Sequence, residues 1–172
     1  ESNAGNTSRY AELVSSLITN WRELWNMPEM PFLLMQLPNF MQKHDKPTDS
    51  GWARIREAQL QAFKTIPNTA LAVTYDVGEW NDIHPLNKKD MAKRLFLGAR
   101  KMVYGEKLVY SGPVYKEMKV EGNKIIITFT ETGRGLMAKG GILKHFAIAG
   151  EDRQFVWADA VIRGNKVIVS SK

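Results

Sequence analysis

Three histidines and no cysteine set the limits of side-chain chemistry in this chain. Thiolate nucleophiles and disulfides are excluded, which by itself does not fix a compartment. His84 is the most informative of the three, lying in Asp82-Ile83-His84-Pro85 within a polar stretch that follows a continuously apolar one. An imidazole exchanges a proton near neutral pH, so His84 can serve as a general base towards a hydroxyl. A carboxylate close by in sequence, Asp82, can orient the ring and stabilise its cation. The plain alternative is a surface or capping histidine ahead of a helix. His44, in a charged loop, and His145, at a strand edge, carry weaker signals. No pair of histidines stands with a carboxylate at ligand spacing, so neither a metal nor another cofactor is expected. No serine sits in a Gly-x-Ser-x-Gly elbow, and Ser2 has no visible activating context. The residues alone therefore offer a base without a nucleophile.

Several other polar or aromatic positions lie where they could meet a ligand. Trp80 is in the His84 loop and could serve as a sugar platform. Asp76 begins that loop, and Gln36 and Asn39 follow an earlier apolar run. For the last three, a role in shaping loops is at least as natural as contact with substrate. Arg56 and Glu57 read as helix-surface pairs. Trp21, Trp25 and Trp52 fall in helical stripes and read as core.

The elements that must position these residues alternate. Tyr10, Leu13, Val14, Leu17, Ile18, Trp21, Leu24 and Trp25 have helical spacing, with Asn6, Thr7 or Ser8 as candidate caps and Pro28 and Pro31 as stops. Phe32 to Leu37 reads as a buried strand ended by Pro38, and 41–51 as a loop. A second helix begins near Trp52, capped by Asp49 or Ser50, and ends at Pro67-Asn68. Thr69 to Tyr75 is the next strand, and its uninterrupted Ala70-Leu71-Ala72-Val73 suits a sheet covered on both faces. Asn87 caps a third helix that Gly105 ends. This α-β-α-β-α order predicts a parallel sheet between helices, with ligands bound beyond the carboxyl ends of its strands. The texture changes after Lys107. Alternating segments flank the turns Glu121-Gly122-Asn123 and Arg163-Gly164-Asn165-Lys166, as in antiparallel hairpins. The expected organisation is residues 1–107 as the α/β part and 108–172 as an antiparallel β domain.

Composition supports this reading. With 172 residues, 44% of them hydrophobic, the chain can build a core of its own. The net charge of +6 comes from basic residues interleaved with acids, so a nucleic-acid partner is not expected. No apolar run is long enough to cross a membrane, and no membrane partner is expected.

Taken in order, the motifs resemble the sialate O-acetylesterase family. Glu1-Ser2-Asn3-Ala4 is similar to the end of that family's Gln-Gly-Glu-Ser-Asn motif. The same order continues through Tyr10, Trp21-Arg22, Pro31-Phe32, Gln36-Leu37, Trp52-Ala53, Arg56-Glu57-Ala58-Gln59, Asp76, Asp82-Ile83-His84-Pro85, Arg94-Leu95, Tyr104-Gly105 and Gly112-Pro113. The resemblance covers nearly the whole chain. It implies part of a flavodoxin-like, three-layer α/β/α sandwich of SGNH hydrolase type. It implies a serine-type carbohydrate esterase, with His84 as base, Asp82 as its companion and Asn3 as an oxyanion donor. An O-acetylated sugar would be the substrate, most naturally sialic acid, with acetylated xylan or another polysaccharide as the alternative. The family's nucleophilic serine and glycine oxyanion donor lie upstream, so the expectation is a C-terminal fragment. Its partner would be the N-terminal part of the same esterase, and alone it would be inactive. A carbohydrate-binding or structural β-module is the alternative of another class. Export to the cell exterior or periplasm is a further expectation of the resemblance. Many SGNH hydrolases carry their aspartate three residues before the histidine; here Asn81 has that place and Asp82 stands two before.

Overall fold

The computed structural model describes residues 2–171 as a mixed α/β molecule with one parallel and two antiparallel sheets. The chain divides into two compact units. The first comprises the described residues up to 43 together with 49–111; the second comprises 44–48 together with 112–171.

The first unit is built on two parallel strands, β1 (Phe32–Met35) and β2 (Thr69–Ala72), paired from Phe32↔Thr69 to Met35↔Ala72. Helices α1 (Tyr10–Leu24), α2 (Gly51–Thr65) and α3 (Lys88–Met102) surround them. Strand alternation decides which face each helix takes. Phe32 and Leu34 pack against Ile18 of α1 and Ala62 of α2, with Ile66. Leu33 and Ala70 face the other way, towards α3, where Gly98 lies so near that a Cβ there would come within 3.1 Å of the Ala70 Cβ. β2 is buried along its whole length, whereas β1 is only half-buried.

Both strands are shorter than their apolar runs. β1 ends before Pro38, which has no N–H for a ladder. Gln36 makes the last backbone bond, its N–H donating to Ala72 O at 2.9 Å. β2 then stops because Thr74, fully buried, turns its hydroxyl to donate to the Gln36 carbonyl, and its own carbonyl accepts from Val77 N–H in a turn.

The helix caps follow sequence in two of three cases. Asn87 caps α3 through its side-chain oxygen, which accepts from Asp90 N–H at 3.1 Å. Ser50 occupies the cap position of α2 without a side-chain bond. For α1 the cap is Arg9, not Asn6, Thr7 or Ser8. The Ser8 hydroxyl is spent on Asn6 Oδ1, and the Arg9 guanidinium closes the first turn onto Glu12.

The second unit carries a four-stranded antiparallel sheet in the order β3-β4-β8-β7, from β3 (Val114–Glu121), β4 (Lys124–Thr130), β7 (Asp159–Arg163) and β8 (Lys166–Ser170). Gly122 (φ +58°) and Gly164 (φ +62°) take the left-handed conformation that two-residue hairpins require. A short pair, β5 (Ala147–Ile148) with β6 (Val156–Trp157), lies alongside. Trp157 also secures residues 44–48, its indole N–H donating to Asp45 O at 2.6 Å. Among the described residues no helix is long and apolar enough to cross a membrane.

Candidate active site

Because β1 and β2 are parallel and in register, their carboxyl ends open on the same edge of the sheet. Two loops leave there: Gln36 to Phe40 after β1, and Val73 to Leu86 after β2. They hold each other through short polar contacts. Asn39 Oδ1 accepts from Gly78 N–H at 2.8 Å, and Met41 N–H donates to Trp80 O at 2.7 Å. Gly78 is required by this clasp, because a Cβ there would lie 2.4 Å from Asn39 O and 2.6 Å from its Oδ1. From beneath, Trp52 of α2 donates its buried indole N–H to Pro38 O at 2.7 Å and packs on Phe40, ring centroids 5.5 Å apart.

The second loop closes on itself at a single bridge between Glu79 and Asp82. His84 follows, its side chain 78% exposed, on the buried Pro85. Asp82 Oδ1 accepts the His84 backbone N–H at 2.8 Å, while the ring Nδ1 lies 3.9 Å from that oxygen. The latter distance is too long for a hydrogen bond. Asp82 therefore fixes the backbone at His84 and leaves the imidazole free to turn towards a partner.

Asp76 anchors the start of the same loop. Arg94 of α3 donates to both its carboxylate oxygens at 2.5 and 2.7 Å, and also to Val73 O at 2.7 Å. The fork geometry of guanidinium suits this three-way clamp. Hydrogen bonding to Asp76 holds the Arg94 pKa above its ordinary value, although burial opposes it. In the sequence Arg94 stands out only as part of the Arg94-Leu95 motif, with no sign of its partner Asp76.

Gln36 is buried, and its side-chain amide donates to Arg56 O at 3.1 Å, so it ties β1 to α2. Arg56 differs from the surface pairing expected of it. Its guanidinium is half-buried, with its pKa lowered by desolvation, and it lines a cleft of about 330 Å³ with Gln36, Ala53, Glu57 and Tyr75. Glu57 accepts instead from Gln61. Trp21 and Trp25 also depart from expectation. They are 44% and 57% exposed and stack edge-to-face on the surface of α1, not in the core. Trp52 is core, and Trp80 is exposed within the His84 loop.

Asn3 lies in the turn before α1, with its backbone carbonyl accepting from Asn6 N–H at 2.9 Å. The next carbonyl, of Ala4, presses on the start of α2, where a Cβ on Gly51 would come within 2.3 Å of it. Glu1 of the same motif lies outside the described residues. A continuous set of contacts thus joins the Ala4 turn to Gly51-Trp52, Trp52 to Pro38, Asn39 to Gly78, and Asp82 to His84. Asp76 is bound to α3 through Arg94, and Gln36 to α2 through the Arg56 carbonyl. Among the described residues no group of histidines and carboxylates is arranged to hold a metal.

No family model matches the chain. Sialate O-acetylesterase from Homo sapiens is 34% identical over 142 residues, and that from Mus musculus 32% over 148, covering 73% and 76% of this chain. The chain spans about a quarter (27%) of the length of these relatives. A crystal structure of a carbohydrate acetylesterase from Xanthomonas citri superimposes on all of this chain with a TM-score of 0.93 and 41% identity, using 40% of its own length.

Proposed function

This chain belongs to the sialate O-acetylesterase-like family, and from that premise we propose that it supplies the general base of a serine-type carbohydrate O-acetylesterase. The observation that carries the reading is the placement of His84: exposed, beyond the carboxyl end of a parallel strand, with its backbone fixed and its ring uncommitted. The nucleophile in this reading is a serine from a part of the esterase outside these 172 residues. His84 accepts the serine proton as the oxygen attacks the acetyl carbonyl. The Asn3 amide donates to the resulting oxyanion, a contribution worth about 10²–10³ in rate for one such donor. Collapse of the tetrahedral species expels the sugar oxygen, which takes the proton from His84. Water, deprotonated by His84, then attacks the acyl-enzyme and releases acetate. O-acetylated sialic acid is the first substrate to test, and Trp80 the first candidate for stacking on its ring.

The partner of the chain is then the rest of the same polypeptide. Leu13, Leu17, Trp21 and Leu24 form an apolar row on α1 beside its buried face, and all four are exposed, Leu24 by 81%. A row of that size on a water-soluble helix calls for a covering surface. Export from the cytoplasm belongs to the same reading.

Acetate release by the full-length esterase tests it. His84→Ala is expected to leave the protein folded and lower turnover by about 10²–10⁴, the usual range for a general base; near-normal turnover removes His84 from the mechanism. The 172-residue chain alone is expected not to hydrolyse p-nitrophenyl acetate above background. Robust, His84-dependent turnover by it would place a nucleophile inside the chain.

A further inference from the structure

The register of the four-stranded sheet sets two apolar rows side by side on one face. Directly paired residues share a face. Val120, Ile125, Val169 and Ala160 form one row across the strands; Met118, Ile127, Val167 and Ile162 form the next. The opposite face is more polar, with Glu117, Lys119, Lys166 and Arg163 among its residues, and carries one apolar row, Ile126, Ile168 and Val161. Along the apolar rows burial changes steeply. Val167 and Val169 on β8 are 4% and 2% exposed, Ile125 and Ile127 on β4 are half-buried, and Met118 and Val120 on β3 are 57% and 62% exposed. The apolar face thus continues onto β3 beyond the area that is covered. Over that end lies a trough of about 710 Å³, bounded by Met118, Val120 and Ile125 on the sheet and by Ile148 and Val156 of the β5–β6 pair.

We propose that this trough is the seat of an apolar segment of the same polypeptide lying outside residues 1–172, which completes the second layer over β3. The inference rests on the reading that the chain is part of a longer esterase. Three observations select the occupant. The solved acetylesterase that matches this whole chain uses only 40% of its length to do so, so more than half of a related polypeptide is available to cover exposed faces. The trough has an aliphatic floor and, among the described residues, no aromatic side chain lines it, so the ring-stacking surface that sugars use is lacking. The outer strand is protected against edge-to-edge pairing by the irregularity between Tyr115 and Glu117 and by Lys116 and Lys119. The occupant therefore inserts between the layers and does not extend the sheet.

Methionine oxidation in the unmodified full-length esterase tests the seat, because Met118 is on its floor and Met137, 84% exposed, is a reference in the same unit. Mild peroxide followed by peptide mass spectrometry is expected to oxidise Met118 about tenfold more slowly in the native enzyme than after unfolding in urea, the protection of a site that reacts only on local opening. A native rate within twofold of the unfolded one would overturn the proposal. So would protection that weakens on dilution, which indicates a second copy, or protection that appears only when an O-acetylated oligosaccharide is added. Acetate release measured on the same sample separates the two readings. An active, His84-dependent esterase with fast Met118 oxidation loses the seat and keeps the catalytic reading; protected Met118 with His84-independent turnover does the reverse.

Discussion

At the level of single residues, the Asp82–His84 pair divides its work unexpectedly. The carboxylate serves the backbone, accepting the His84 N–H at 2.8 Å, and stands 3.9 Å from the ring. An asparagine oxygen accepts that N–H equally well. Asp82→Asn is therefore expected to retain acetate release within about tenfold of the parent enzyme, whereas Asp82→Ala, which leaves the turn without its acceptor, is expected to lose more. Equal losses in the two variants would assign the carboxylate charge a direct part in the reaction. Arg94 shows the same economy. Replacing it by lysine keeps the charge but loses the fork that spans Asp76 and Val73 O. Arg94→Lys is expected to raise hydrogen exchange in residues 73–80 while α1 and α2 stay unchanged.

At the level of elements, the site depends on two loops that neither strand nor helix periodicity describes. Their clasp is made at Gly78 and Asn39, where a single methyl group has no room. Gly78→Ala is expected to destabilise the folded chain by about 1–3 kcal/mol, the usual cost of overpacking, visible as a lower midpoint in urea. Trp52→Phe retains most of the packing but strands the Pro38 carbonyl without its donor. Its expected cost is again about 1–3 kcal/mol, that of a buried unsatisfied acceptor. A silent Trp52→Phe would show that water replaces the indole. The elements themselves were largely legible. The 3.6-residue spacing of α1, the Asn87-x-x-Asp90 cap of α3, and the Gly122 and Gly164 turns all appear where their local chemistry puts them. Strand ends were not legible, because Thr74 leaves the ladder to satisfy a carbonyl 38 residues earlier.

At the level of the whole chain, the second unit recruits residues 44–48 from a loop more than sixty residues before it, through the Trp157–Asp45 bond. Trp157→Phe removes the only atom that makes that bond. Limited trypsin digestion is then expected to cut after Lys43 faster than in the parent chain; unchanged cleavage would show that other contacts hold the segment.

The mixed α/β class, the parallel pair with its helices, the family resemblance and the interest of His84 are all legible in the amino-acid order alone. These rest on local signals: apolar period, cap and turn chemistry, and an ordered run of short motifs. Tertiary structure decided what each polar neighbour does. Gln36, Asn39 and Asp76 are bound to partners 20, 39 and 18 positions away, and those partners are fixed only when strands and helices pack. It also decided that Trp21 and Trp25 are on the surface and Arg56 is half-buried. Periodicity identifies an apolar side of a helix, but not how far the neighbouring elements reach across it.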